Sequence, residues 1–281
     1  MSTKDSKDLL RAWQESAPYW SKHAAIVRAL FEPITGALLN AAAIDRAQLV
    51  LDVAGGAGEP SVTIAKVLHG RGSVVFTDAV IKMVLSSRAE AERATISNLV
   101  FTQCLGDALP FPANTFDAVV SRLGVMLFTD PARSISEMLR VLKPGGRVAL
   151  AVWHHQNVNP FFYVVANIVS RYVESQPDDP DAPGAFRFAE PGKLDRLLTD
   201  AGANAVTSSV LQFTIEAPIT PDQFWELRSE LSETLREKLA KLSKPELSSL
   251  SGEVKKASEQ FFKRGSMRFP AEVLIVSGRK S

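Results

Sequence analysis

Residues 50–60, Val50-Leu51-Asp52-Val53-Ala54-Gly55-Gly56-Ala57-Gly58-Glu59-Pro60, carry an apolar strand-like stretch straight into a glycine cluster and a helix start. Glycines permit positive φ and let a backbone approach a ligand closely. The helix N-terminus that follows offers free N–H groups and a positive dipole end, which suits a carboxylate or a phosphate. Twenty residues after Gly58, a second apolar run ends at Asp78, and a carboxylate at that strand end can accept both hydroxyls of a ribose. The stretch therefore predicts a nucleoside-containing ligand at the carboxyl end of a sheet. Its plain alternative is a tight strand-to-helix turn with no ligand.

Working outward, five short apolar runs stand out: Leu49–Val53, Val74–Thr77, Leu99–Gln103, Phe116–Val120 and Arg147–Trp153. Helical patterns between them, such as Ser61–Leu68 and Ala132–Leu142, mark βαβ units and a parallel sheet. Pro60 sits at one helix start and Asp130-Pro131 opens another, while Lys143-Pro144-Gly145-Gly146 stops it. Beyond residue 154 the reading loosens. Residues 175–184 read as a loop, Glu190–Ala201 as a helix, and Val206–Ile215 and Ala271–Ser277 as strands. Between those strands, Phe224 to Leu242 and Leu247 to Phe261 each show an apolar stripe at helical spacing. Each stripe begins with a capping-box pattern, Thr220-Pro-Asp-Gln223 and Ser243-Lys-Pro-Glu246.

Composition narrows the chemistry. With 32 Lys plus Arg against 31 Asp plus Glu in 281 residues, the chain lacks the basic footprint of a nucleic-acid binder. Cys104 stands alone, so no disulfide framework or multi-cysteine metal site is expected, and the four histidines form no HExxH pattern; no metal is expected. The longest uncharged stretch, Val148–Ser170, includes His154, His155, Gln156, Asn157 and Asn159, which argues against a membrane span. Met1–Asp8 holds no apolar signal core, so a cytoplasmic protein is the expectation. Oligomeric state is not readable. A dinucleotide site would prefer GxGxxG, but Ser61 stands at the third glycine position. An NAD(P)-dependent dehydrogenase is thereby disfavoured, though it stays open.

Five motifs occur in one order: Leu51 to Gly58, Asp78, Gly106-Asp107-Ala108 with Leu109 to Pro112, Phe116 to Ser121, and Leu139 to Gly146. Together they resemble the class I S-adenosylmethionine-dependent methyltransferases, in particular the ubiquinone/menaquinone-type (methyltransferase-11-like) subgroup. Ala54 departs from that pattern, standing where the first glycine is usual. The resemblance implies a Rossmann-like, seven-stranded, mostly parallel α/β sheet with helices on both faces and a helical cap. It also implies S-adenosylmethionine as cofactor, S-adenosylhomocysteine as product, and O- or C-methylation of a small organic acceptor. A protein that binds the cofactor without methyl transfer is the alternative from another class.

Carried over position by position, Ala54, Gly55 and Gly56 would contact the methionyl end, Gly58 would open the helix, and Asp78 would bind the ribose. Ala79 and Met83 would flank the adenine; Gly106, Asp107 and Ala108 would surround its amine. Ser121, Arg122 and Leu123 would face the sulfonium region, Asp52 would belong to the cofactor site, with support of the turn's backbone N–H groups as its plain alternative, and Tyr19 would reach the cofactor carboxylate. The implied layout is an N-terminal helical segment (1–47) covering the cofactor, a cofactor-binding core (48–153), a cap insertion (154–189), the rest of the sheet (190–219 and 266–281) and a helical-hairpin insertion (220–265).

On the acceptor side, His154 and His155 follow the fifth strand where a general base would sit, and histidine titrates near physiological pH. His23 is a weaker candidate. Trp20, Trp153, Phe161 and Phe162 are candidates for a flat or greasy acceptor, and core packing is the competing role for each. The fourth strand leads into Ser121-Arg122-Leu123-Gly124, not into the Asn/Asp-Pro-Pro-Tyr/Phe motif of amine-directed nucleic-acid enzymes.

Overall fold

Three helices, α1 (Ser6–Lys22), α2 (Ala24–Leu30) and α3 (Glu32–Ala41), precede the first strand in the computed structural model, which describes residues 6–45, 48–174 and 179–281. Met1 to Asp5 and the boundary at residue 47 lie outside the described residues, as do residues 175–178 of the expected loop. Then come β1 (Leu49–Val53), α4 (Ser61–Val67), β2 (Ser73–Asp78), α5 (Ile81–Arg93), β3 (Leu99–Gln103), β4 (Phe116–Arg122), α6 (Pro131–Val141) and β5 (Leu142–Trp153). The remainder is α7 (Pro160–Val169), α8 (Lys193–Asp200), β6 (Ala203–Ala217), α9 (Pro221–Leu231), α10 (Glu233–Leu239), α11 (Lys244–Ser258), β7 (Phe262–Lys263) and β8 (Ser266–Lys280).

The sheet runs β3-β2-β1-β4-β5-β8-β6. Strands β3 to β5 in that path pair in parallel, and β8 pairs antiparallel with both β5 and β6. β1 is central, and Val50, Leu51 and Val53 are buried; each such side chain contributes roughly 1.5–3 kcal/mol of burial. From β1 the chain crosses to β2 on one side and later to β4 on the other. That reversal is the switch point where doubly wound sheets open a crevice at their carboxyl ends.

The sheet has eight strands, not the expected seven. The extra one is β7, whose pairing with β8 closes over Arg264 and Gly265, both at positive φ (52° and 78°). That is the backbone of a two-residue hairpin, and a two-residue strand is too short to show any hydrophobic period. β6 and β8 also outrun their expected limits, pairing from Ala203 with Lys280 to Ala217 with Met267. The expected single helix from Phe224 to Leu242 is broken. Ser232 is extended (φ −99°, ψ 111°), and its hydroxyl accepts the Leu235 N–H at 3.3 Å, so it caps α10 instead of continuing α9. The capping box at Thr220 forms, with Gln223 N–H donating to Thr220 Oγ1 at 3.2 Å and Thr220 N–H to Gln223 Oε1 at 2.9 Å.

No single described helix is long and apolar enough to cross a membrane; the bent pair α2–α3, broken by 61°, passes by length and composition only. Ile34 and Leu38 of α3 are fully buried against the core.

Candidate cofactor site

A cavity of about 230 Å³ opens at the carboxyl ends of β1, β2 and β4. Its floor is the turn after β1, where Gly56 has φ +56° and Gly58 φ +107°. Nothing lies within 4 Å of where a Gly56 Cβ would sit, so that edge of the turn faces open space. Gly55 is packed for the opposite reason: a Cβ there would lie 2.3 Å from Phe76 Cε2 and 2.8 Å from Asp52 Oδ2. Ala54 (φ +60°) and Leu123 (φ +61°), leaving β1 and β4, both hold left-handed backbone beside the cavity. Such strain clusters at ligand sites.

Asp78 caps the wall opposite the turn. Its Oδ2 accepts the Gly56 N–H at 2.9 Å and its Oδ1 the Val80 N–H at 2.8 Å. Burial pushes this carboxyl up to about 6, against the pull of those two backbone bonds. Each oxygen keeps a second lone pair. Below the turn, Asp52 is fully buried; its Oδ2 accepts from Ser61 Oγ at 2.6 Å, its Oδ1 has no partner, and burial raises it to about 7.

Arg122 lines the cavity and donates from Nη1 to Thr35 Oγ1 at 3.0 Å and to the Phe31 carbonyl at 3.4 Å. Burial lowers its pKa, while Glu59 and Asp52 act in the other direction. Glu59 pairs with Arg28 Nε at 2.9 Å, and Arg28 Nη2 with Glu90 at 2.9 Å. Asp52 and Glu59 thus offset the charges of Arg122, in the cavity wall, and of Arg28 behind it. Cys104 also lines the cavity, but burial pushes its thiol up to about 11, so it is a protonated wall group and no nucleophile at neutral pH.

Residues 36–172 match the ubiE/COQ5 methyltransferase family. Over that segment the chain is similar to methyltransferases of that family. The ubiquinone/menaquinone biosynthesis C-methyltransferase UbiE of Cellvibrio japonicus is 37% identical over 111 residues, 39% of this chain and 45% of that enzyme. The chain thus spans about half the length of the curated relatives it matches. The YcgJ protein of Bacillus subtilis has the same fold, with a TM-score of 0.56 at 18% identity over 88% of this chain and 97% of that one. So does Haemonchus contortus phosphoethanolamine N-methyltransferase 2, solved with phosphomonomethylethanolamine and S-adenosylhomocysteine (TM-score 0.57, 16% identity, 100% of this chain, 60% of that one).

The matched segment fits a nucleoside cofactor on its own geometry: an open glycine edge, a buried carboxylate with free lone pairs, and a largely apolar wall. Of the residues singled out from sequence, Ala54, Gly55, Gly56, Asp78, Ala79, Met83, Gly106, Asp107, Arg122 and Leu123 line the cavity, as does Trp20. Met83 packs with Ala17 and Val80 while doing so, so it is core and wall at once. Gly58, Asp52 and Ser121 lie behind the lining. Ser121 is buried with its hydroxyl unpartnered, and a Cβ on Gly124 would come within 2.7 Å of that oxygen. Ala108 is exposed at the rim. Tyr19 turns away, its ring 4.7 Å under the Arg236 guanidinium on α10.

Neither His154 nor His155 lines the cavity. Side chains alternate across β5: Trp153 faces Phe31, with ring centroids 5.5 Å apart, and His154 points to the other face. There its Nδ1 bonds Glu272 Oε2 at 2.8 Å, and Glu272 also accepts from Gln212 at 2.9 Å. His155 is exposed. His23 Nε2 bonds Glu230 at 2.6 Å. Phe161 and Trp153 are buried, and Phe161 packs on Phe224 and Phe269 at 5.6 and 5.7 Å.

Sequence reasoning passed over Phe31 and Glu59. Glu59 could have been suspected as an acid closing the glycine run. Phe31 sits in an ordinary helical pattern and carries no local signal.

Helix α1 closes the cavity with Leu9, Leu10, Trp13 and Trp20. Lys22 bonds Glu226 at 2.6 Å and Glu230 at 2.9 Å, and Arg236 donates to Ser16, so α9 and α10 hold this cover in place.

Proposed function

We propose that the chain transfers a methyl group from S-adenosylmethionine to a small organic acceptor in the cytoplasm, by O- or C-methylation, with a quinone-precursor-like carbon as the leading candidate. The observation that carries this reading is Asp78. Its carboxylate is held by the Gly56 and Val80 N–H groups and faces a cavity in the segment that matches the family. When bound, the cofactor supplies an activated methyl on a sulfonium. Asp78 would hold the ribose hydroxyls, the Gly55–Gly56 turn and Arg122 the methionyl end, and Ala79, Met83 and Gly106–Asp107 the adenine. With an activated leaving group, alignment can supply much of the acceleration. Trp13, Trp20 and Phe31 would exclude water from the transfer. The curated UbiE relatives support a quinone-like acceptor, by analogy with the matched half of their length.

The test is calorimetric titration with S-adenosylhomocysteine, with NAD⁺ in parallel and Asp78→Asn as the variant. Saturable binding of the homocysteine nucleoside, at least tenfold weaker in the variant, is expected. Binding of NAD⁺ alone would replace this reading with a dehydrogenase.

A further inference from the structure

Strand β6 ends the sheet path, so one side of its backbone has no neighbouring strand. The register tells which residues face that side. His154 N–H donates to the Glu272 carbonyl at 3.2 Å, and Glu272 N–H donates to Asn159 Oδ1 at 2.9 Å. The Glu272 backbone therefore points toward the end of β5 and away from β6. Glu272 stands opposite Gln212, and backbone direction alternates along an antiparallel strand. The N–H and C=O groups of Ser208, Val210, Gln212 and Thr214 thus point outward, while those of Thr207, Ser209, Leu211 and Phe213 serve the ladder to β8.

Monomeric proteins blunt such edges with charge, proline, shortness or a bulge. Residues 203–215 contain no charged residue and no proline. The bulge between Asn204 and Thr207 lies at one end, and from Thr207 the register with β8 runs unbroken to Ala217. Thr207, Ser208, Ser209 and Val210 are all exposed, so both faces of the strand are bare there, and Val210 is 47% exposed. What is missing is a strand. Within this sequence, the stretches outside the described residues, 1–5, 46–47 and 175–178, are too short to supply one of matching length.

A second copy supplies one, β6 itself. Antiparallel pairing about a two-fold axis beside Val210 sets Val210 against Val210, Ser208 against Gln212 and Thr207 against Phe213. None of these residues is charged, so the self-pairing meets no repulsion. Glu216, bonded to Arg268 at 2.7 Å, falls beyond the ladder, opposite Asn204 and the bulge. Each copy covers the other's edge, so the assembly closes at two.

We propose that β6 is a homodimer interface, two copies of this chain joining edge to edge through residues 207–213 into one continuous sheet. The surface is separate from the cofactor cavity, none of whose lining residues belongs to β6. A ladder this short buries little area, so the dimer forms in a concentration-dependent way.

Sedimentation velocity of the full chain, from about 1 to 100 μM, reads the mass. Wild type is expected to rise from 30.6 kDa toward twice that value. Val210→Lys sets two like charges directly opposite each other, and Val210→Pro removes an outward N–H while sparing the ladder to β8. Both should sediment as monomers throughout and melt within a few degrees of dilute wild type, whereas Val210→Ile should still dimerise. Val210→Lys changes only an exposed side chain, so it carries the comparison if the proline variant does not fold. Hydrogen exchange locates the contact: the Ser208, Val210 and Gln212 amides should exchange slowly in concentrated wild type and quickly on dilution or in Val210→Lys. A monomer at every concentration, a dimer that survives Val210→Lys, or outward amides whose exchange ignores concentration would overturn the assignment. So would a mass that climbs past two copies, since a two-fold edge pairing has no open end.

Discussion

The backbone N–H of Gly56 donates to Asp78 Oδ2 at 2.9 Å, tying the turn after β1 to the end of β2 across 22 residues of chain. One carboxylate therefore shapes the glycine turn and faces the cavity. Because burial raises it to about 6, its ionisation is within reach of ordinary buffers.

The first expectation concerns that ionisation. Ribose hydroxyls donate to the carboxylate form, so S-adenosylhomocysteine affinity should be flat above pH 7 and weaken below about 6, approaching tenfold per pH unit. In Asp78→Asn the weak residual affinity should be independent of pH from 5 to 7. Titration calorimetry at four pH values checks this.

Asp52 should show itself in stability. Its folded pKa of about 7 exceeds its ordinary 3.8, so the folded state binds the proton more readily than the unfolded one. Its contribution is fully present below about pH 4 and is lost as pH rises through 7, at up to about 1.4 kcal/mol per pH unit. Asp52→Asn removes that slope. The stability difference, variant minus wild type, should therefore rise from pH 4 to pH 7 in urea unfolding. A difference that stays constant would contradict a buried, protonatable Asp52.

Neighbouring glycines should behave differently. Gly55→Ala forces a Cβ to within 2.3 Å of Phe76 and should destabilise by about 3 kcal/mol or more. Gly56→Ala meets no atom within 4 Å and should lose only about 1 kcal/mol to its positive φ. Thermal melts of the two variants give the comparison.

Ala54 carries left-handed backbone (φ +60°) without glycine's freedom. Ala54→Gly relieves roughly 1–2 kcal/mol of native strain but raises unfolded-state entropy by about 0.4–1 kcal/mol, so a small net gain is expected. Ala54→Val should lose stability clearly. Melting temperatures in the order Gly, Ala, Val would support the strain; the reverse order would refute it.

His154 is expected to act as an anchor. Removing it in His154→Ala breaks the 2.8 Å bond to Glu272 and should cost about 1–2 kcal/mol of stability. S-adenosylhomocysteine affinity should stay within twofold of wild type. A large loss of affinity would show that the histidine reaches the site after all.

Much of the core could be read locally. A strand, a glycine cluster and an acid at a fixed spacing are short-range patterns, and the alternation of apolar runs with helical stripes gave the parallel half of the sheet. The C-terminal half resisted for equally local reasons. β7 is two residues long, and β6 is an edge strand with mixed exposure that blurs its period. Ser232 interrupts an unbroken apolar stripe, and only the competition between capping and helix continuation decides the outcome.

The sequence by itself determined the glycine turn after β1 and the acid at the end of β2 that meets it, because both depend on residues close along the chain. Tertiary structure alone decided which side chains share the cavity wall. It turned His154 to the far face of β5, joined Arg122 to the Thr35 hydroxyl 87 residues away, and set Arg228 between Phe161 and Phe162. Such juxtapositions depend on how helices from distant segments pack on one sheet. Hydrophobic period reports that a face is buried and carries no information about what it is buried against.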